Sequence, residues 1–214
     1  LDEIDEFKSS KEMFTKVYEN TTSLLKEDKF LTFFGGEHSI SIGIIKAFYE
    51  KFQNLSVLHI DAHADLRPSY LEDPYSHACA MHDASKNCNL VQVGIRSMDI
   101  SEEEFMNRNQ VYFAEKMDGH STWMNQSINH LTDDVYISLD LDAFDPSIMP
   151  STGTPEPGGI QWNEMIQYLK LVFTSKNVVG FDIVELAPID GLHAPNFLAA
   201  KLYYKMLSYK FYCS

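Results

Sequence analysis

Apolar residues recur along this chain in short continuous runs, each closed by a polar or glycine-containing stretch. The runs lie at 30–34, 56–61, 89–93, 110–114, 134–140 and 178–184. Runs of this length, bounded by turn residues, predict buried β-strands. Between them, apolar positions at helical spacing predict helices at 38–52, 101–108, 116–131, 161–174 and 194–208. The first 29 residues are charged and amphipathic. Ile4, Phe7, Met13, Phe14, Val17 and Tyr18 stand near helical spacing there and predict a leading helix. Such strand and helix alternation predicts an α/β fold in three layers, a mainly parallel sheet of six strands covered by helices on both faces.

Composition narrows the class. With 214 residues and 44% hydrophobic content, the chain suits a single domain over 1–214 with a substantial core. The sequence shows neither an apolar stretch of membrane-spanning length nor a signal peptide, which predicts a soluble, cytoplasmic protein with no membrane partner. A net charge of -14 argues against a nucleic-acid partner and favours a cationic ligand through the overall field, although a solvated acidic surface has the same signature. Cys79, Cys88 and Cys213 are odd in number and lack metal-finger spacing, so they read as free thiols in a reducing compartment.

The chemistry collects where the apolar runs stop. VYISL leads into Asp140 and Asp142, two carboxylates at i and i+2 that point to one side of an extended backbone and can share a cation. SVLHI leads into DAHAD, where Asp61, His63 and Asp65 repeat the spacing, and FLTFF leads into GGEHS with His38. In parallel sheets, ligands bind at the carboxyl ends of strands, where these residues would converge. Taken singly, an Asp after a strand is also a helix cap or turn former, and a lone His a packed or surface residue. Together they place four Asp and two His after hydrophobic strands, and clustered carboxylates destabilise a fold unless cations neutralise them. The donor set is rich in oxygen and free of thiolates, which suits a hard cation better than structural zinc; it leaves magnesium, cobalt and iron open beside manganese.

The segments GGEHS, DAHAD and SLDLDAFDPSIMPSTGTPEPGG, in this order and at this separation, resemble the three signature segments of the ureohydrolase (arginase and agmatinase) family. GGEHS with DAHADLR and PYSHACAM is most similar to agmatinases. The resemblance implies an arginase-like fold and two Mn2+ per subunit. One metal would take His38, Asp61, Asp65 and Asp140, the other Asp61, His63, Asp140 and Asp142. It further implies Asp65 as proton carrier, His77 as proton shuttle and Glu185 as the carboxylate that pairs with the guanidinium. Family members have an eight-stranded sheet and more residues before the first motif, so the resemblance implies that the N-terminal strands are missing here, in a fragment or a short form. It also implies a homo-oligomer, trimeric or hexameric.

From the residues themselves, His77 after Pro74-Tyr75-Ser76 equally suits a helix start, while a carboxylate at Glu185, closing the run VVGFDIV, requires a cation or another partner. Asp182 suits either an outer support or a structural salt bridge, His59, on the strand face of Asp61, an outer support or more readily a satisfied core histidine, and Asp145 a turn. His82, His120, His130 and His193 match no ligand motif. Ser151 stands where the family reads glycine, which predicts backbone strain if that glycine serves a special angle.

The implied reaction is hydrolysis of a small cationic guanidino compound. A guanidinium carbon is a poor electrophile, and two cations roughly 3.5–4 Å apart lower the pKa of a shared water beside it. Agmatine, giving putrescine and urea, fits best, because the loop LRPSYLEDPYS lacks the pattern by which arginases recognise an amino acid and offers Glu72 and Asp73 to an ammonium. Aminopropyl-agmatine, leading to spermidine, or another guanidino compound is the alternative substrate, and a non-catalytic assembly subunit the alternative role. Arg67, that loop's one cation, suits a brace.

Overall fold

In the computed structural model, which describes residues 7–117 and 121–212, each predicted apolar run is a strand. These are β1 (Leu31–Phe34), β2 (Ser56–Ile60), β3 (Asn89–Ile95), β4 (Val111–Phe113), β5 (Asp134–Asp140) and β6 (Asn177–Val184). All pairings are parallel, in the order β1-β6-β5-β2-β3-β4. Hairpins cannot join parallel neighbours, so each connection crosses over through a helix or a long loop.

The helices are α1 (Ser10–Leu24), α2 (Ile40–Lys51), α3 (His82–Asn87), α4 (Thr122–His130), α5 (Trp162–Ser175) and α6 (His193–Tyr212). Ser9 caps α1 by accepting the Glu12 N–H, satisfying one of the donors a helix start leaves open. The stretch 101–108, expected as a helix, is instead a 3-10 turn over Ile100–Phe105 and a second over Arg108–Gln110. Asp99 and Glu102 close a capping box on the first turn, and Asn107 opens the second by accepting the Asn109 N–H, so two local starts replace one helix. The predicted helix 116–131 is shorter, beginning at Thr122. Ile4, His120 and Cys213 lie outside the described residues.

Alternate strand residues feed two cores. One face packs Leu58, Ile60, Ile137 and Leu139 against Trp123 of α4, Met165 and Leu169 of α5 and Leu202 of α6. The other packs Val57 and Tyr136 against Met13 and Val17 of α1 and Ile44 and Phe48 of α2. The sheet is thus the middle of three layers, with its central strands β5 and β2 buried on both faces. No helix among the described residues is long and apolar enough to cross a membrane.

Candidate active site

The carboxyl ends of β1, β2, β5 and β6 open on one cleft of about 230 Å³, whose lining includes His38, His63, Asp65, Asp140, Asp142 and Glu185. The backbone does not stay extended through the motifs as their spacing suggested. After β2 the DAHAD segment bends until Asp65 adopts a left-handed φ of 54°, a conformation that L-residues keep only when their surroundings hold it. After Asp140 the chain tightens into a 3-10 turn, Leu141–Ala143, in which Asp140 Oδ1 accepts the Asp142 N–H at 2.8 Å. The turns still bring the side chains together.

His38 Nδ1 lies 3.1 Å from Asp61 Oδ2, 3.2 Å from Asp65 Oδ2 and 3.3 Å from Asp140 Oδ2. His63 Nδ1 lies 3.0 Å from Asp142 Oδ2 and 3.5 Å from Asp61 Oδ1, so Asp61 stands between the two histidines. Burial pulls the His38 pKa down, but the three carboxylates outweigh it and hold it well above the usual histidine value. His63 is raised to about 11, with burial again opposing Asp142 and Asp61. Burial together with the neighbouring Asp142 and Asp61 charges pushes Asp140 well above the usual carboxylate range. Asp142 is raised in the same direction, by burial and Asp61.

Beneath these side chains a polar row crosses four strands. Gln92, His59, Ser138 and Asp182 are register partners on β3, β2, β5 and β6, and each is at most 1% exposed. His59 Nε2 meets Asp61 Oδ2 at 2.8 Å and its Nδ1 meets Gln92 Nε2 at 3.0 Å. Asp182 makes no salt bridge among the described residues; it accepts hydroxyls from Ser41, Tyr136 and Ser138 at 3.1, 2.8 and 2.8 Å. Because the Ser138 hydroxyl donates to Asp182, its oxygen accepts from His38 Nε2 at 2.9 Å. In the neutral imidazole this leaves the Nδ1 lone pair facing three carboxylates, and Nδ1 is buried with no hydrogen-bond partner. A bare nitrogen among carboxylate oxygens is electrostatically unfavourable unless a cation or proton lies between them. The donors present therefore fit a cation.

Glu185 closes β6 with a left-handed φ of 65°. Its Oε1 accepts the His38 N–H at 2.7 Å, and burial raises its pKa. His77 begins a 3-10 turn and also lines the cleft, its Nδ1 2.8 Å from Glu37 Oε1. Arg67 braces the wall, with Nε 3.8 Å from Glu102 Oε2 and its guanidinium 5.1 Å from the Tyr70 ring centroid. Glu72 and Asp73 do not line the cleft: Glu72 is exposed, and Asp73 is spent on the turn, where its Oδ1 accepts the Tyr75 N–H.

Ser151 is fully buried without a positive φ, so the strain expected there is absent. His82 is structural, with its Nδ1 2.8 Å from Leu66 O, whereas His130 and His193 are exposed. Asp145 is more than a turn residue, since its Oδ2 accepts N–H groups from Gly158 and Gly159 across the loop. Sequence reasoning passed over Glu37, Ser138, Gln92 and Arg96. Only Ser138 carried a usable signal, standing two residues before Asp140 on the same strand face.

A sequence profile described as the Arginase family matches residues 3–208. The chain is 33% identical over 202 residues to an N(1)-aminopropylagmatine ureohydrolase of Synechocystis sp., covering 92% of this chain and 66% of that protein. To an agmatinase of Bacillus subtilis it is 34% identical over 177 residues, 81% of this chain and 61% of that protein. The crystal structure of an agmatine ureohydrolase of Thermoplasma volcanium superposes with a TM-score of 0.84 at 28% identity, over 97% of this chain and 71% of that one. The chain thus spans about two thirds or less of the length of these curated relatives. A profile match over nearly the whole chain and an arginase-like sheet lead to one conclusion: the chain belongs to the arginase family.

Proposed function

We propose that this chain is a single ureohydrolase domain that hydrolyses the guanidino group of agmatine, releasing putrescine and urea, with two Mn2+ held by His38, Asp61, His63, Asp65, Asp140 and Asp142. The observation that carries the reading is the buried His38 Nδ1, unpartnered among three carboxylate oxygens at the floor of a cleft that Glu185 and His77 also line. When bound, the cation pair supplies charge neutralisation and lowers the pKa of a water beside the substrate carbon.

The chain's own residues do the rest. Glu185 is held by the His38 N–H and presents its other oxygen to the guanidinium, fixing the carbon over the floor. Water adds to that carbon, and Asp65 takes its proton. The carbon–nitrogen bond to the alkyl side then breaks, and Asp65 returns the proton to the departing amine. His77, half-exposed and bonded to Glu37, passes protons between cleft and solvent.

Aminopropyl-agmatine is the second reading, supported by relatives from Synechocystis sp. and Thermus thermophilus that are named N(1)-aminopropylagmatine ureohydrolases. The reading also includes a homo-oligomer in the cytoplasm, supported by family resemblance and by the free thiols Cys79 and Cys88. The test is urea release from agmatine, aminopropyl-agmatine, arginine and guanidinobutyrate, with Mn2+ supplied and then chelated. Metal-dependent release chiefly from agmatine is expected, and preference for the aminopropyl form would move the product to spermidine. No release from any of them with metal bound would overturn catalysis by this chain and favour the assembly-subunit role.

A further inference from the structure

At the end of β3 the chain makes an abrupt change. Gly94 takes φ 94°, and a Cβ there would stand 3.0 Å from Asp61 O, so the strand can pass this close to the DAHAD segment only as glycine. The register shifts between Val93 and Ile95, and the next two N–H groups, of Arg96 and Ser97, both donate to Ala62 O at 2.8 and 3.0 Å. Arg96 is thereby set beside Ala62, the residue that separates Asp61 from His63.

Its guanidinium makes no ion pair among the described residues and is spent on carbonyls. Nη2 donates to Asp142 O at 2.7 Å and Glu156 O at 2.8 Å, Nη1 to Gly94 O at 3.0 Å, and Nε to Pro157 O at 3.1 Å. Longer contacts reach Ala143 O at 3.5 Å and Phe144 O at 3.4 Å. One side chain therefore ties β3 to the turn carrying Asp142 and to the loop at 156–157. Asp142 is then held from behind, while its own oxygens face Ala62 N, His63 Nδ1 and Thr154 Oγ1. A cation bonded to the Asp142 carboxylate would compete with a metal for those oxygens. Bonded to the carbonyl instead, it brings positive charge near Asp61 and Asp142 and leaves the ligand atoms free.

We propose that Arg96 is the positioning residue for the His63–Asp142 half of the centre, fixing the Asp142 backbone and the 156–157 loop so that a second cation can bind beside the first. The inference rests on the metal reading above and concerns the order of the site, since Arg96 touches neither metal nor substrate.

The experiment is a Mn2+ titration of the wild-type chain, Arg96→Lys and Arg96→Met, followed by calorimetry and by the electron paramagnetic resonance of the coupled ions, with thermal unfolding in parallel. In both variants the first equivalent binds as in wild type and the second is weakened by about 10–100-fold, the usual cost of losing an outer support. Lys keeps the charge but lacks the planar fork, so it restores only part of the second site. Excess Mn2+ recovers the coupled spectrum, which a general loss of structure would not allow. Should Arg96→Met not fold, Arg96→Lys decides alone. Two unaltered equivalents in Arg96→Lys, or parallel weakening of both with lost thermal stability, overturns the inference and leaves the metal reading intact. A wild-type chain that takes no second equivalent overturns both.

Discussion

At the scale of single residues, the most exposed to loss is Asp182, because its support role costs nothing only while all three hydroxyl partners remain. Removing the carboxylate orphans the hydroxyls of Ser41, Tyr136 and Ser138 in a layer where no water reaches them. At roughly 1–3 kcal/mol per orphaned donor, Asp182→Ala loses about 3 kcal/mol or more, while Tyr136→Phe loses about 1. Urea unfolding with metal chelated, at an unchanged m-value, measures both; equal effects would show that Asp182 acts only through Tyr136. Asp145 gives a pH-dependent counterpart. Its hydrogen bonds from Ser147, and from the Gly159 and Gly158 N–H groups, depress its pKa to about 2. A depressed carboxylate stabilises the fold above its ordinary titration range and loses that stability as pH falls through the folded value. The stability gap between wild type and Asp145→Asn is therefore present at neutral pH and shrinks between about pH 4 and 2. Parallel acid titrations of unfolding check it, and a constant gap would exclude the carboxylate charge as its source.

At the scale of elements, what could be read in advance was local. Runs such as VYISL give a strand because they are short, apolar and stopped by turn residues, and each of the six was visible for that reason. The polar row was not. Gln92, His59, Ser138 and Asp182 meet only because β3, β2, β5 and β6 pair in register, and strand order in a parallel sheet is set by crossovers rather than by neighbouring sequence. Arg96 escaped for the same reason, since its partners at 142–144 and 156–157 are distant in the chain. Helix packing adds a constraint of this kind at Gly43. A Cβ there would lie 2.9 Å from Phe14 O and 3.0 Å from Tyr18 N, both backbone atoms of α1, so the two helices approach as closely as they do because α2 has glycine at the crossing. Gly43→Ala gains about 1 kcal/mol of helix propensity but forces α1 outward at a cost of roughly 1–3 kcal/mol. We expect a net loss near 1 kcal/mol, read by thermal unfolding, with increased amide exchange in α1; a stabilised variant would mean that α1 yields freely.

At the scale of the whole molecule, charge and cleft act together. The chain carries -14, and the cleft lining gathers Asp65, Asp99, Glu102, Asp140, Asp142 and Glu185 around Arg67, its one guanidinium. Even with two divalent cations bound, they and Arg67 supply five positive charges against seven carboxylates, the six of the lining and Asp61, and leave the rim attractive to a cation. A field of this kind raises the local concentration of a cationic substrate and speeds encounter, and salt weakens it as the screening length falls from roughly 30 Å at 0.01 M to about 3 Å at 1 M. Under the proposed activity, kcat/KM for agmatine, with its two positive charges, should fall by roughly tenfold across that range. On the same proposal the turnover at saturation should hold, because the proton transfers assigned to Asp65 take place at a buried group, which salt screens less than the rim. Guanidinobutyrate, whose carboxylate cancels its guanidinium, is the control, and its kcat/KM should hardly change if it reacts at all. Equal salt slopes for the two compounds would show that the net field plays no part in capture and that selection rests on contacts within the cleft, with Glu185 and the Arg67–Tyr70 wall as the first places to look.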